Sequence, residues 1–218
     1  MRLPIIKRLK KKEYREIATF QDYAIDILYR SYSDMVLHGG TVIWRCFAGN
    51  RFSNDVDAYL DPQINLKETR DKLKSAAEEQ GIGIEKVKDT GNLMFIGFSL
   101  GDIYLKVEIS HFVKDLKPIA MRFERVDGTY SDIISISAND LLREKIAAYR
   151  DRRFIRDIYD IYILSSYIER DNKTAKEISG FLDKMLPPVN EEDLASLIYD
   201  GPVPSLQSML AQIGGRLS

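Results

Sequence analysis

The chain has 218 residues, of which 44% are hydrophobic, and a formal net charge of −1 at pH 7. These values predict one or two globular domains and exclude a general electrostatic attraction to nucleic acid, so any basic surface has to be local. The single cysteine, Cys46, excludes an internal disulfide, and the absence of an apolar run near the ~20 residues of a membrane span predicts a cytoplasmic protein with no membrane partner.

Short β-rich runs dominate the first part of the chain. A helix is predicted first, at residues 13–32, because apolar residues recur there at helical spacing. Strands are predicted at 35–37, 55–60, 84–88, 93–99, 103–110, 121–126 and 130–136, with a helix at 66–80. Turn signals at Gly101-Asp102 and Asp127-Gly128 predict two hairpins, the second with a tight primed turn.

From residue 137 the pattern becomes helical. The segment Ser137-Ala138-Asn139-Asp140 has the spacing of a capping box, in which side chains satisfy the free N–H groups of a first helical turn. Further helices are predicted at 154–167, 174–185, 191–199 and 205–213, separated by proline and glycine. The sequence therefore predicts an α+β fold, with a mixed α/β domain at 1–136 and a helical C-terminal domain at 137–218.

Residues 38–57, HGGTVIWRCFAGNRFSNDVD, place two glycines at a predicted helix start and two carboxylates on a predicted strand. Gly39 and Gly40 leave backbone N–H groups open to a phosphate, and the helix adds the positive end of its dipole. Asp55 and Asp57 project from one face of an extended strand, so their oxygens converge. This pattern predicts a site for a triphosphate and a divalent metal ion.

A third carboxylate is expected at this site, because two acids one residue apart seldom complete an octahedral metal site. The run 103–110 alternates, and its apolar residues Leu105, Val107 and Ile109 place Glu108 on the opposite face. If this strand lies beside the one carrying Asp57, the acids form the oxygen-rich site that Mg²⁺ prefers. The alternative is an ordinary solvent-facing glutamate paired with Lys106.

Positive charge is concentrated in two segments. Residues 7–12 contain five lysines and arginines directly before the first helix, where they are also compatible with a solvated helix start. Residues 141–156 form the second segment, which also leads into an acidic pair. There Arg143, Lys145, Arg150, Arg152, Arg153 and Arg156 outnumber Glu144 and Asp151.

The remaining reactive and aromatic residues near these motifs are interpreted as structural. Cys46 is read as a buried hydrophobic residue rather than a nucleophile. The only two histidines are His38 and His111, and His38 at the glycine turn is interpreted as a packing or hydrogen-bonding residue. Trp44 and Phe47 have the spacing of helix neighbours and are assigned to the core.

The motifs together resemble a known family. Gly39-Gly40 followed by Asp55-Val56-Asp57 resembles the signature of the polymerase-β-like nucleotidyltransferases. The finer pattern, His38-Gly39-Gly40-Thr41 and then residues 51–57 (RFSNDVD), is similar to the AbiEii/AbiGii toxin family, which includes the toxins of abortive-infection systems. A second motif agrees, with Lys145, Arg152 and then Arg156-Asp157-Ile158-Tyr159-Asp160, so the resemblance spans about residues 35 to 165.

The resemblance implies a polymerase-β-like domain that transfers a nucleoside monophosphate from a nucleoside triphosphate to an acceptor hydroxyl, with Mg²⁺ or Mn²⁺. It implies two metal ions, one that activates the hydroxyl and one that accompanies the departing pyrophosphate. The implied metal ligands are Asp55, Asp57 and Glu108, and the implied nucleotide-binding residues are Gly39, Gly40, Thr41, Ser53, Lys145 and Arg152. Lys145 would offset phosphate charge in the transition state, and Asp157 would position Lys145 or Arg152 or contact the nucleotide or acceptor.

The acceptor implied by the resemblance is RNA, with the 3′ end of tRNA as the leading candidate, and the implied protein partner is a cognate antitoxin. Two alternatives remain open: nucleotidylation of a small molecule or a protein hydroxyl, and a catalytically idle fold that serves as a binding or regulatory protein. A hydrolase is disfavoured, because Asp55 and Asp57 lie too close together to attack a bond from opposite sides.

Overall fold

The computed structural model describes residues 3–111, 116–169 and 171–216. It divides the chain into two units, here called the sheet unit (Met1–Val42 and Ser53–Ile136) and the helical unit (Ile43–Phe52 and Ser137–Ser218). One division falls between Ile136 and Ser137, where the character of the sequence changes. Residues 43–52, which belong to the helical unit, lie inside the range assigned above to the first domain. The domain boundaries stay a prediction.

A mixed sheet of seven strands forms the frame of the sheet unit. Its strands are β1 (Val36–His38), β2 (Val56–Leu60), β3 (Gly83–Asp89), β4 (Leu93–Leu100), β5 (Ile103–His111), β6 (Ile119–Glu124) and β7 (Tyr130–Ser135). Their spatial order is β3-β4-β5-β2-β1-β7-β6. The pairs β2–β5 and β1–β7 are parallel and the other neighbours are antiparallel, so the predicted α+β fold with a mixed sheet is confirmed.

Two helices of the sheet unit cover one face of this sheet. Helix α2 (Lys12–Ser31) packs against β5, and α4 (Leu66–Glu78) packs against α2 and β3. On β5 the side chains of Leu105, Val107 and Ile109 are almost fully buried. Because strand side chains alternate between faces, Glu108 projects from the other face of the sheet.

The N-terminal basic segment is mostly solvated, as the alternative of a solvated helix start predicted, and of its cations only Arg8 is buried. A short helix, α1 (Ile5–Arg8), brings Arg8 to β6, where its Nη2 lies 2.8 Å from Glu124 Oε1. Both side chains are almost fully buried, at 5% and 9% exposure. One cation of residues 7–12 is therefore part of the fold rather than of a solvated surface.

Helices make up the helical unit. They are α5 (Ala138–Arg152), α6 (Ile155–Leu164), α7 (Asn172–Leu182), α8 (Leu194–Leu197) and α9 (Leu206–Gly215), together with the second half of α3 (Gly39–Cys46). Trp44 packs against Phe52 and Tyr199, which fixes residues 43–52 in this unit. No helix among the described residues is long and apolar enough to cross a membrane.

The predicted cap at residue 137 is confirmed, because the Ser137 side chain accepts a hydrogen bond from the Asp140 N–H. The predicted helix at 191–199 is wrong in extent: a 3-10 turn at Glu191–Asp193 leads into the four residues of α8, and the chain then becomes extended. There Ile198 forms an antiparallel bridge to Arg51, and Tyr199 N–H donates to the Asn50 carbonyl. Tertiary pairing therefore overrides the local helical pattern.

Both predicted hairpins are present, but the second turn differs from the prediction. The Gly128 N–H donates to the Arg125 carbonyl, and the Arg125 N–H donates to the Thr129 carbonyl. Only Gly128, at φ +91°, has a positive φ in this loop, whereas a two-residue type I′ turn needs positive φ at both central residues. The loop is a three-residue connection with glycine in the left-handed position.

Substitution of Gly128 tests how this loop is fixed. A Cβ at Gly128 would lie 2.9 Å from Pro4 Cγ, in addition to the strain of the left-handed backbone. Gly91 has nearly the same φ, +90°, but a Cβ there meets nothing within 4 Å. We therefore expect Gly128→Ala to lower the free energy of unfolding by about 1–3 kcal/mol, and Gly91→Ala to lower it by about 1 kcal/mol.

Urea unfolding of both variants measures this difference. An equal loss in the two variants would show that contact with Pro4 does not restrain the hairpin.

Candidate active site

The glycine turn and the acidic strand meet at one point of the sheet unit. Strand β1 ends at His38, and α3 begins at the next residue, Gly39. His38 is the partner of Asp57 in the antiparallel pairing of β1 with β2. Gly39 has φ +74°, and a Cβ built on it would overlap the Asp57 carboxylate. The position therefore requires glycine for both its backbone conformation and the approach of the acid.

The two acids of the Asp-x-Asp motif are placed differently. Asp57 lies in β2, whereas Asp55 precedes the first residue of the strand, Val56, so the predicted strand begins one residue too early. The Asp55 carbonyl accepts a hydrogen bond of 2.5 Å from the Thr41 hydroxyl. Thr41 is only 2% exposed. The hydroxyl predicted to bind nucleotide is therefore used to fasten the segment before β2 to helix α3.

Gln21 on α2 completes this support. Its side-chain N–H donates to the Ser53 carbonyl at 2.7 Å and, more weakly, to the Thr41 hydroxyl at 3.4 Å. Gly39 and Gly40 are both buried, and Ser53 is partly exposed. Access of a phosphate to these residues stays a prediction.

Glu108 lies beside Asp57, as the metal-site prediction requires. Strands β2 and β5 are parallel, and Asp57 and Glu108 are partners in their register. Partners in adjacent strands project from the same face of a sheet, so the two carboxylates are neighbours. The alternative contact is also present, because Lys106 Nζ lies 3.2 Å from Glu108 Oε2. The Glu108 carboxylate can therefore bind a cation, but the Lys106 ammonium already neutralises part of its charge.

The candidate metal ligands are all carboxylates. Asp55, Asp57 and Glu108 supply only anionic oxygen, which is the chemistry of Mg²⁺ and Mn²⁺ sites. Among the described residues, no three histidine, cysteine, aspartate or glutamate side chains are gathered closely enough to form a metal site. The chemical type of these ligands therefore suits Mg²⁺ or Mn²⁺, and Asp57 and Glu108 are already neighbours in the sheet.

A second cluster of charges lies in the helical unit, around Asp160 on α6. Arg51 holds the Asp160 carboxylate with two hydrogen bonds, of 2.8 Å from Nε and 2.9 Å from Nη2. Lys145 Nζ on α5 lies 2.9 Å from Oδ2 of the same group. Burial would by itself raise the pKa of Asp160, but the charges and hydrogen bonds of Arg51 and Lys145 outweigh it and hold that pKa below its ordinary value. Asp160 is therefore ionised at neutral pH.

Asp157, one turn earlier on α6, binds a different cation. Arg152 donates to both of its oxygens, at 2.8 Å from Nε and 2.7 Å from Nη2. Asp157 is fully buried, whereas the Arg152 side chain is 35% exposed. Asp157 is therefore in contact with Arg152, and its role in the site stays a prediction. Lys145 is bound instead by Asp160, a residue that was not predicted to belong to the site.

Arg156 adds a cation without a matching acid. Its Nε is buried and has no hydrogen-bond partner among the described residues. Burial is the main cause that lowers the pKa of Arg156, and the neighbouring positive charges of Arg152 and Arg51 lower it further. Together, four cations (Arg51, Lys145, Arg152 and Arg156) face two carboxylates (Asp157 and Asp160). This cluster has a surplus positive charge that favours an anionic ligand.

The residues interpreted as structural have structural contacts. His38 stacks on Tyr59 with ring centroids 3.7 Å apart. Burial raises the pKa of the Cys46 thiol to about 12, against a smaller opposing effect of Arg45, so the thiolate does not form near neutral pH. Trp44 and Phe47 are buried, at 1% and 8% exposure. These residues pack the fold and offer no alternative reactive centre.

The chain is similar to known proteins. The model of the family described as "Nucleotidyl transferase AbiEii toxin, Type IV TA system" matches residues 26–206. No curated protein gives a match. Among solved structures, the nucleotidyltransferase toxin MenT4 of Mycobacterium tuberculosis is similar, with 17% identity, a TM-score of 0.65, and coverage of 94% of this chain and 83% of that one.

Two Helicobacter pylori structures are also similar, each with 20% identity and a TM-score of 0.61. JHP933 is matched over 92% of this chain and 90% of its own, and a putative nucleotidyltransferase over 92% of both. At these identities the structures show a shared fold. The family match covers most of the chain, and the protein therefore belongs to the AbiEii nucleotidyltransferase toxin family and is a nucleotidyltransferase.

Proposed function

We propose that the protein transfers a nucleoside monophosphate from a nucleoside triphosphate to a hydroxyl of RNA, with the 3′ end of tRNA as acceptor and Mg²⁺ or Mn²⁺ as the metal. The observation that carries this proposal is the register of Asp57 with Glu108 on adjacent parallel strands, directly beside the glycine start of α3. Acids in this arrangement, next to a helix N-terminus, suit a metal-bound polyphosphate.

Asp55, Asp57 and Glu108 would hold the metal. When bound, such an ion lowers the pKa of an attacking hydroxyl and offsets the charge of the phosphates. The chain's own contribution is to fix the acids in advance. Asp57 is confined by its close approach to Gly39, and the segment carrying Asp55 is held by Thr41. Pre-positioned acids of this kind reduce the rearrangement needed at the moment of reaction.

The nucleotide would be bound by backbone N–H groups at Gly39 and Gly40, by Ser53, and by the two cations that the family resemblance assigns to it, Lys145 and Arg152. Each of these cations is held by a buried carboxylate, Lys145 by Asp160 and Arg152 by Asp157. The surplus charge of their cluster supports a role in neutralising phosphate. Thr41 would act indirectly, through the segment that it fastens.

The RNA acceptor is the one that the family resemblance implies, and the surplus charge is compatible with it, although part of that charge would neutralise the phosphates of the nucleotide. We further propose a cognate antitoxin as protein partner, because the matched family is described as the toxin of a type IV toxin–antitoxin system. In such a system, transfer of nucleotides to RNA would be the toxic activity.

Replacement of Asp57 tests the metal site. We expect Asp57→Ala to lower transfer by at least about 100-fold, because a metal ligand is lost, with a change in unfolding free energy below about 1 kcal/mol. The assay incubates the protein with Mg²⁺, each labelled nucleoside triphosphate in turn, and total tRNA. Asp61→Ala, an exposed acid that directly follows β2, is the matched control and should retain activity.

Retained transfer in Asp57→Ala would refute the proposed site. Transfer of label by the unaltered protein to an acceptor other than RNA would refute the proposed acceptor.

A pair of variants separates the role of Lys145 from that of its buried partner. Lys145→Gln should lower transfer strongly and stability only modestly, because Asp160 keeps its two hydrogen bonds from Arg51. Asp160→Asn should lower stability by about 3–5 kcal/mol, because it leaves two buried cations without a counter-charge. Thermal and urea unfolding, together with the transfer assay, measure both effects.

Equal destabilisation by the two substitutions would contradict this division of roles. It would mean that Lys145 is a structural residue of the helical unit.

A further inference from the structure

The cations of residues 141–156 fall into two classes. Arg143 is paired with Asp140 and Glu177, each at 2.8 Å, while Lys145 and Arg152 are paired with the buried acids of α6. Arg150, Arg153 and Arg156 form no ion pair with any residue that the structure describes, and because the Arg156 Nε is buried, Arg150 and Arg153 are the two that remain free to bind a ligand. The basic segment therefore contains both cations that hold the fold together and cations that are free to bind a ligand.

The two free arginines border a cavity of about 100 Å³ in the helical unit. A third cation, Lys184, comes from the segment that follows α7. The lining residues are Tyr149, Arg150, Arg153, Phe181, Lys184, Met185 and Leu186. Lys184, like the two arginines, has no ion-pair partner in the described part of the chain. Three cations from two separate parts of the sequence thus converge on one cavity.

Specific contacts build this cavity. Arg153 ends α5 in the left-handed conformation, at φ +53°, and its N–H donates to the Tyr149 carbonyl at 2.8 Å. The Arg153 carbonyl accepts from Val189 N–H at 3.0 Å, and the Tyr149 hydroxyl donates to the Leu186 carbonyl at 2.6 Å. The segment after α7 is therefore fastened to the end of α5. The buried pair of Tyr149 and Phe181 forms an apolar floor.

The charge of the cavity exceeds what the fold needs. The C-terminal ends of α5 and α7 lie here, and each helix end carries roughly half a negative charge. Two such ends offset about one of the three positive charges. Asp157 and Glu191 are close enough to act on the Tyr149 hydroxyl, but Asp157 is already bound by Arg152. Glu191 offsets up to one further charge, so a surplus of between about one and two positive charges faces solvent.

We infer that this cavity binds a phosphate group of an RNA backbone. Its volume is well below the ~300–1,000 Å³ of sites that enclose a whole small molecule, so it admits a phosphate while the rest of the ligand lies outside. A polymer with regularly spaced phosphates meets this condition, and arginine is well suited to phosphate contacts. The inference rests on the proposed RNA acceptor and adds the residues that would hold it.

A charge reversal outside the proposed catalytic machinery tests this site. Arg150→Glu/Lys184→Glu changes two exposed side chains, so it should leave the unfolding temperature close to that of the unaltered protein. The matched control is Lys173→Glu/Lys176→Glu, which makes the same change of charge at exposed positions of α7 that do not line the cavity. Arg150→Gln/Lys184→Gln serves as a milder variant.

The measurement is the affinity for labelled total tRNA without nucleotide, at several NaCl concentrations. We expect the cavity variant to bind at least about tenfold more weakly, and the slope of log affinity against log salt to fall by about two. The control should differ little from the unaltered protein. Affinity for nucleoside triphosphate should be the same in all variants.

Several results would overturn the inference. These are an equal loss in the cavity and control variants, unchanged tRNA affinity in the cavity variant, a loss of nucleotide affinity instead, or no tRNA binding by the unaltered protein. Because RNA binding is measured apart from transfer, an inactive protein that binds tRNA through the cavity would refute only the proposed reaction. An active protein whose tRNA affinity ignores these residues would refute only the cavity.

Discussion

A helix start, two central strands and the proposed acids of the sheet unit meet at one contact, the close approach of a carboxylate to a glycine backbone. Asp57 in β2 occupies the space where a side chain on Gly39 would lie. The residue before Gly39, His38, is the partner of Asp57 in the pairing of β1 with β2. That pairing places β2 beside β1, and the parallel pairing of β2 with β5 places Asp57 beside Glu108. The same glycine starts α3. One contact therefore links a helix start, the centre of a sheet and two acids.

In the helical unit, buried charge has the corresponding organising role. Asp160 is almost fully buried, and its ionised form is stable only because Arg51 and Lys145 surround it. Such a group costs free energy to bury, and replacement by apolar residues is often neutral or stabilising for a fold. The arrangement is better explained by what it does to Lys145, since it holds a long, flexible side chain in one place. Asp157 does the same for Arg152.

Features that depend on neighbouring residues could be predicted from the sequence, and features that depend on distant partners could not. The glycine turn, the alternation that places Glu108 opposite the core and the Ser137 cap all follow from local spacing. The partner of Asp160 is Arg51, 109 positions away, and no local pattern connects them. The same holds for the packing of Trp44 on Tyr199, which places residues 43–52 in the helical unit. A tertiary contact also decided the end of α8, where Ile198 pairs with Arg51, whereas the turn at Gly128 is a local feature that was predicted with the wrong loop length.

The fit of Gly39 to Asp57 changes what counts as an intact enzyme. If the acids act as proposed, a chain can keep all three and still lose the position of Asp57 through a single change at the glycine, because any side chain there would displace that carboxylate. Inspection of the acids alone would therefore overestimate the number of active enzymes among related sequences. Gly39 and Asp57 are therefore better judged together when related sequences are compared. The missing side chain of the glycine matters as much as the charge of the aspartate.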